Sequence, residues 1–207
     1  MPFASYATIG DVARAHQITL RDDAFVIPSA PPPSESLRQQ LEFTQNFTAF
    51  EISEWAVCEN LIHPVLQDVW KAYTAELMLW SHVSLSYDDD LSGIPDYLIA
   101  RKSVLGRLVM ELPYLVVMEA KRDDFVRGWA QCLAAMLAAQ KLNNIPELTL
   151  YGITTNGRLW EFGKLEGAKF TKDSRSFALM HLEELRGAIS FVFEQCRSQL
   201  LRLQRSA

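Results

Sequence analysis

Apolar residues recur at helical intervals from about Phe50 to Val69, whereas His82 to Tyr87 alternates apolar and polar side chains at the two-residue period of a strand. A shorter helical pattern around Ile9 to Ile18 leads into IPSAPPPSES at 27–36, where consecutive prolines remove backbone donors and hold the chain extended. Ser34 or Ser36 is placed to cap a helix through Leu37, Leu41 and Phe43, and Pro64 predicts a kink or break in the helix that follows. DDDLSG reads as a turn and PDYLIARKS as a strand closed by Leu105-Gly106. The run YLVVMEAK at 114–121 is apolar and β-branched in its middle, which predicts a strand inside a sheet. Asp123 or Asp124 caps the next helix, FVRGWAQCLAAMLAAQKLNN, and Asn143-Asn144 with Pro146 ends it. LTLYGIT and GRLWEFGKL predict two strands joined at Thr155-Asn156-Gly157, and a helix from about His181 to Leu203 closes the chain. The order predicts an α/β (α+β) fold with a central mixed β-sheet flanked by helices. Residues 1–36 are expected as an N-terminal extension and Pro-rich connector, and residues 37–207 as a single domain.

At 207 residues and 49% hydrophobic composition, the chain fits one core. No stretch reaches the roughly 18 apolar residues of a membrane helix, and MPFASYATIGDVARAH lacks a secretory pattern, so no membrane association and a cytoplasmic setting are expected. Cys58, Cys132 and Cys196 lie far apart without CxxC spacing and read as buried, reduced thiols. His16, His63, His82 and His181 show no ligand spacing and read as structural or surface residues, so the linear pattern gives no support for zinc. The net charge of −5 excludes a broad positive surface that coats nucleic acid. It conceals an asymmetry: residues 1–96 carry 4 Lys/Arg against 14 Asp/Glu, and residues 97–207 carry 16 against 11. The second half is therefore the side suited to phosphates, with Arg122, Arg127 and Lys141 close behind the apolar strand.

The chemistry concentrates at the end of that strand. Glu119 and Lys121 are one residue apart, so the strand period puts both on one face while Ala120 points away. Charges ending an apolar strand must reach solvent or find partners, because isolated buried ions are costly to desolvate. A hairpin to the strand that Asp96 opens brings two carboxylates together, and a hard divalent cation, Mg²⁺ or Mn²⁺, relieves their repulsion. Such an ion lowers the pKa of a bound water and neutralises phosphate charge, while Lys121 orients the nucleophile.

Pro95-Asp96, followed after 22 residues by Glu119-Ala120-Lys121, resembles the motif of the PD-(D/E)xK nuclease superfamily. SEWAVCENLIHPVL at 53–66 with VVMEAKRDDFVRGWAQCLAAMLAAQ resembles, over roughly residues 50–165, the N-terminal nuclease domain of type I restriction motor subunits and small stand-alone relatives. The resemblance implies a restriction-endonuclease-like core over 37–207 and Mg²⁺-dependent phosphodiester hydrolysis of nucleic acid, with DNA the expected substrate. Asp96, Glu119 and Glu54 are then the metal ligands, Lys121 is catalytic, and Gln131 on the following helix supports the site. Glu51 and Glu59 rival Glu54 as the extra acidic residue, and the tyrosine that some relatives carry four positions after the glutamine is Ala135 here. Gly128, Gln131, Ala135 and Ala138 form one helical stripe whose small residues permit close approach to the sheet. The family's motor is not in this sequence, which implies a helicase or methyltransferase partner.

Other features carry plainer readings. Asp88-Asp89-Asp90 is expected as a turn rather than a calcium loop, and Trp55, Trp129 and Trp160 as core residues rather than base-stacking platforms. The alternative function is a non-catalytic module acting in protein association or within a larger restriction or repair complex, a homodimer through the apolar C-terminal helix being one such association.

Overall fold

The computed structural model describes residues 2–29 and 31–206; Met1, Ala207 and Ala30, the last inside the expected connector, lie outside them. The elements run α1 (Ile9–His16), β1 (Thr19–Asp23), α2 (Glu35–Phe47), α3 (Glu54–Val57), α4 (His63–Trp70), β2 (Leu77–Ser81), β3 (Leu85–Ser86), β4 (Ser92–Gly93), β5 (Tyr97–Arg101) and β6 (Glu111–Ala120). There follow α5 (Phe125–Asn143), β7 (Leu150–Thr155), β8 (Leu159–Glu166), β9 (Lys169–Ala178) and α6 (Leu182–Ser206).

Seven strands form a mixed sheet in the order β1-β9-β8-β7-β6-β5-β2. β6 pairs antiparallel with β5 and parallel with β7, and β1 pairs parallel with β9. Helices cover both faces, which explains why Leu115-Val116-Val117-Met118 is continuously apolar: every side chain of this central strand segment enters a core. On one face α5 packs on β6 and β7, with α1 against it; on the other, α4 and α6 meet around Leu66, Val69, Ile189 and Phe193. The apolar face of α6 is thus used inside the fold.

Several local expectations are met. Ser34 caps α2, Asp124 caps α5, and Asn144 takes the left-handed conformation after α5. Asn156 Oδ1 accepts the N–H groups of Arg158 and Leu159, and Gly157 sits at φ 83, so this turn needs its glycine. Asp88 Oδ1 accepts the Asp90 and Leu91 N–H groups, closing the expected acidic turn.

Other elements differ. Only Leu85–Ser86 of the stretch 82–87 is a strand, because His82 adopts a left-handed backbone (φ 53) that ends the unanticipated β2. β2 is an apolar LMLWS run without alternation, and β9 has polar residues on both faces, so neither shows a clean two-residue period. Residues 1–36, expected as an extension, contribute edge strand β1 to the sheet and pack α1 on α5. Pro64 does not break its helix. A π-turn at Cys58–Ile62 joins α3 to α4, and His63 N–H donates to the Cys58 carbonyl, so the wider turn passes Pro64 through with helical dihedrals on either side.

One buried carboxylate ties the N-terminal segment to the sheet. Asp173 on β9 accepts the Phe25 and Val26 N–H groups at 2.9 and 2.7 Å and pairs with Arg175. Burial works to raise its pKa, but the Arg175 contact and the backbone N–H groups outweigh that and hold it below the usual range. A lowered folded-state pKa gives stability that is present above the ordinary carboxyl range and lost as pH falls through the folded value. Asp173→Ala should therefore lower stability by about 3 kcal/mol at neutral pH in urea denaturation, with the gap to wild type closing in acid.

Candidate active site

The end of β6 opens into a cleft of about 270 Å³ lined by Phe3, Ala4, Glu54, Trp55, His82, Gly93, Ile94, Asp96, Glu119, Lys121 and Gln131. Pairing of Tyr97 with Met118 carries Asp96 to the Glu119–Ala120 step, where Asp96 Oδ2 accepts the Ala120 N–H at 2.7 Å. Glu119, beside Thr154 of β7, is only 5% exposed. Lys121 follows the last residue of β6; its ammonium donates to Glu54 Oε1 at 2.8 Å and to the Ala120 carbonyl at 2.9 Å. Glu54 stands in the first turn of α3, which Ser53 caps by accepting the Ala56 N–H.

Gly128 lets α5 come this close. A Cβ there would lie 2.6 Å from Thr154 Cγ2 and 3.2 Å from Lys121 Cγ. One turn further, Gln131 lines the cleft, and its Oε1 is buried without a hydrogen-bond partner among the described residues. On the opposite wall His82 Nε2 lies 3.4 Å from Asp96 Oδ1, Ser81 Oγ is 2.7 Å from His82 Nδ1, and the Trp55 ring stacks on the imidazole at 4.2 Å.

Electrostatics mark the cleft as short of positive charge. Burial, reinforced by the Asp96 charge, pushes Glu119 well above the usual carboxyl range, with Lys121 only partly opposing. Burial also raises Asp96, against the Ala120 N–H and Lys121. For Lys121, burial disfavours the ammonium, but the Glu54 hydrogen bond and the Glu119 charge prevail and its pKa is raised. Metal binding would ionise the three carboxylates, and with the one ammonium they would then carry two net negative charges, which a divalent cation would cancel. The donor set, all carboxylate oxygen with a buried amide beside it, fits a hard ion such as Mg²⁺ or Mn²⁺.

The fold thus brings Asp96, Glu119, Lys121, Glu54 and Gln131 to one cleft. Of the rival acidic residues, Glu51 pairs with Arg158 and Glu59 is exposed in a neighbouring groove. Trp129 and Trp160 are buried, but Trp55 is 67% exposed and belongs to the cleft rim, because α3 begins only at Glu54 and its first turn projects past the core. His82, read from sequence as structural or surface, lines the cleft, as does the N-terminal turn through Phe3 and Ala4. Neither had a sequence signal: His82 depends on β2, and Phe3 on its packing against Gly93. All three cysteines are buried, and Cys58, beneath His82, has its thiol pushed up to about 12 by burial and by the Asp96 and Glu54 charges. Among the described residues no helix is long and apolar enough to cross a membrane. No protein-family model matches the chain, and no curated protein matches it.

Two outcomes follow from this geometry. Gly128→Ala should cost about 1–3 kcal/mol in chemical denaturation by overpacking Thr154 and Lys121, and should loosen the Lys121–Glu54 contact. Because the folded-state pKa of Glu119 is raised, metal-free protein should lose stability as pH rises above the ordinary carboxyl range, the unfolded chain ionising first. Glu119→Gln in chelator should accordingly melt higher than wild type at alkaline pH, and the difference should fade in acid.

Proposed function

We propose that the protein is a metal-dependent nuclease with a PD-(D/E)xK-type site in a restriction-endonuclease-like core, hydrolysing phosphodiester bonds of nucleic acid. The observation that carries this reading is the meeting of Asp96, Glu119, Lys121 and Glu54 at the buried end of one strand, in a cleft where burial and mutual repulsion hold Glu119 and Asp96 above the usual carboxyl range. Glu54, Asp96 and Glu119 would hold Mg²⁺ or Mn²⁺, which supplies a water of lowered pKa and neutralises charge on the phosphate. Lys121 orients the attacking water and offsets charge as the phosphorus–oxygen bond to the leaving group breaks. Glu54 fixes the ammonium for that task, and the Gln131 amide is placed to donate to a phosphate oxygen. DNA is the expected substrate, and a helicase or methyltransferase the partner implied by the sequence resemblance.

Plasmid and single-stranded DNA incubated with Mg²⁺ or Mn²⁺ test the reading, with wild type, Asp96→Ala and Lys121→Ala purified identically. Wild type should cleave, and each variant should lose about a hundredfold or more in rate. Equal cleavage by all three would identify a contaminant, and absence of cleavage by all three would favour the association module.

A further inference from the structure

Asp96 presents two oxygens to two different surroundings. Oδ2 is engaged by the Ala120 N–H on the β6 side, while Oδ1 faces His82 Nε2 at 3.4 Å. Cys58 Sγ completes this second group, and the three ligand atoms lie within 4.8 Å of one another. Among the described residues no other set of three His, Cys, Asp or Glu side chains converges so closely.

We propose that Cys58, His82 and Asp96 form a second cation site, built for a thiophilic divalent ion of the zinc class and sharing Asp96 with the carboxylate cluster. Ligands about 2.0–2.3 Å from a tetrahedral zinc stand roughly 3.3–3.8 Å apart, so the histidine and aspartate are already at coordination spacing. In the tautomer that donates Nδ1–H to Ser81 Oγ, Nε2 presents its lone pair to a carboxylate oxygen. In that tautomer Nε2 and Asp96 Oδ1 are two acceptors 3.4 Å apart that a cation would bridge, and Nε2 is buried with no hydrogen-bond partner among the described residues.

The surroundings fix the ligands. The π-turn begins at Cys58, whose carbonyl also accepts the Tyr97 hydroxyl at 3.0 Å, and the stacked Trp55 ring holds the imidazole plane. His82 keeps a left-handed backbone, which is uncommon for a non-glycine residue. A groove of about 310 Å³ lined by Cys58, His63, His82 and Tyr97, and not by Glu119, reaches the site. It offers an entry path and room for a water as fourth ligand. Thiolate and imidazole select the zinc class over Mg²⁺, and binding displaces the thiol proton. The coordination does not rest on the nuclease reading; its consequence there is that both sites draw on the same carboxylate.

Co²⁺ titration of the full chain provides the test, since a thiolate ligand produces a sulfur-to-cobalt charge-transfer band. Wild type should develop the band, with Zn²⁺ erasing it and excess Mg²⁺ leaving it. Cys58→Ser should abolish the band and His82→Ala should weaken Co²⁺ binding at least about tenfold, whereas Glu119→Gln should retain the band. His82→Ala, altering a residue at the cleft rim, decides the matter if Cys58→Ser does not fold. No band in wild type, an unchanged band in His82→Ala, or its loss in Glu119→Gln would overturn the assignment. DNA cleavage plays no part in this readout, so failure of the nuclease reading would leave the cobalt result standing.

Discussion

A carboxyl group buried at the end of a strand covered on both faces is the constraint around which this part of the molecule is arranged. Glu119 sits where β6 leaves two apolar cores, and desolvation there strongly disfavours its charge. The surrounding elements answer that constraint from three directions. Asp96 arrives by antiparallel pairing, Lys121 by the strand's own continuation, and Glu54 from a helix entering on the far side. Gly128 permits the fourth approach, by α5, at a separation where a Cβ would crowd Thr154 and Lys121.

Neighbouring carboxylates hold their positions through hydrogen bonds to groups that do not depend on a bound ion. The Ala120 N–H fixes Asp96, and the Lys121 ammonium fixes Glu54 while supplying the nearest positive charge. Such fixed donors keep a polar cleft from collapsing, because each carboxylate has at least one partner with good geometry. Glu119 differs: burial first, and then the Asp96 charge, pushes its pKa well above the ordinary carboxyl range.

The π-turn connects this cleft to the rest of the fold. One widened turn passes the chain across Pro64 and sets the Cys58 carbonyl under the Tyr97 hydroxyl, while α3 projects Trp55 over His82. The same local feature therefore shapes both walls of the Asp96 side chain, one rich in carboxylate oxygen and the other in sulfur and nitrogen. Hard and borderline cations discriminate between such walls by ligand chemistry alone.

The sequence by itself determined the elements whose physics is local. The apolar run at 114–121, the alanine-rich helix after it, the Asn-Gly turn and the caps at Ser34 and Asp124 are set by side-chain period and backbone hydrogen bonding within a few residues. The shared face of Glu119 and Lys121 follows from the strand period in the same way. Tertiary structure decided what depends on pairing between distant segments. It set Glu54, rather than Glu51 or Glu59, against Lys121 across 67 residues of sequence, and recruited β1 and β2, whose sequences lack alternation, through the edges they extend. It also joined Cys58, His82 and Asp96, which no linear spacing links, because sheet register and a helical irregularity act over distances that periodicity does not encode.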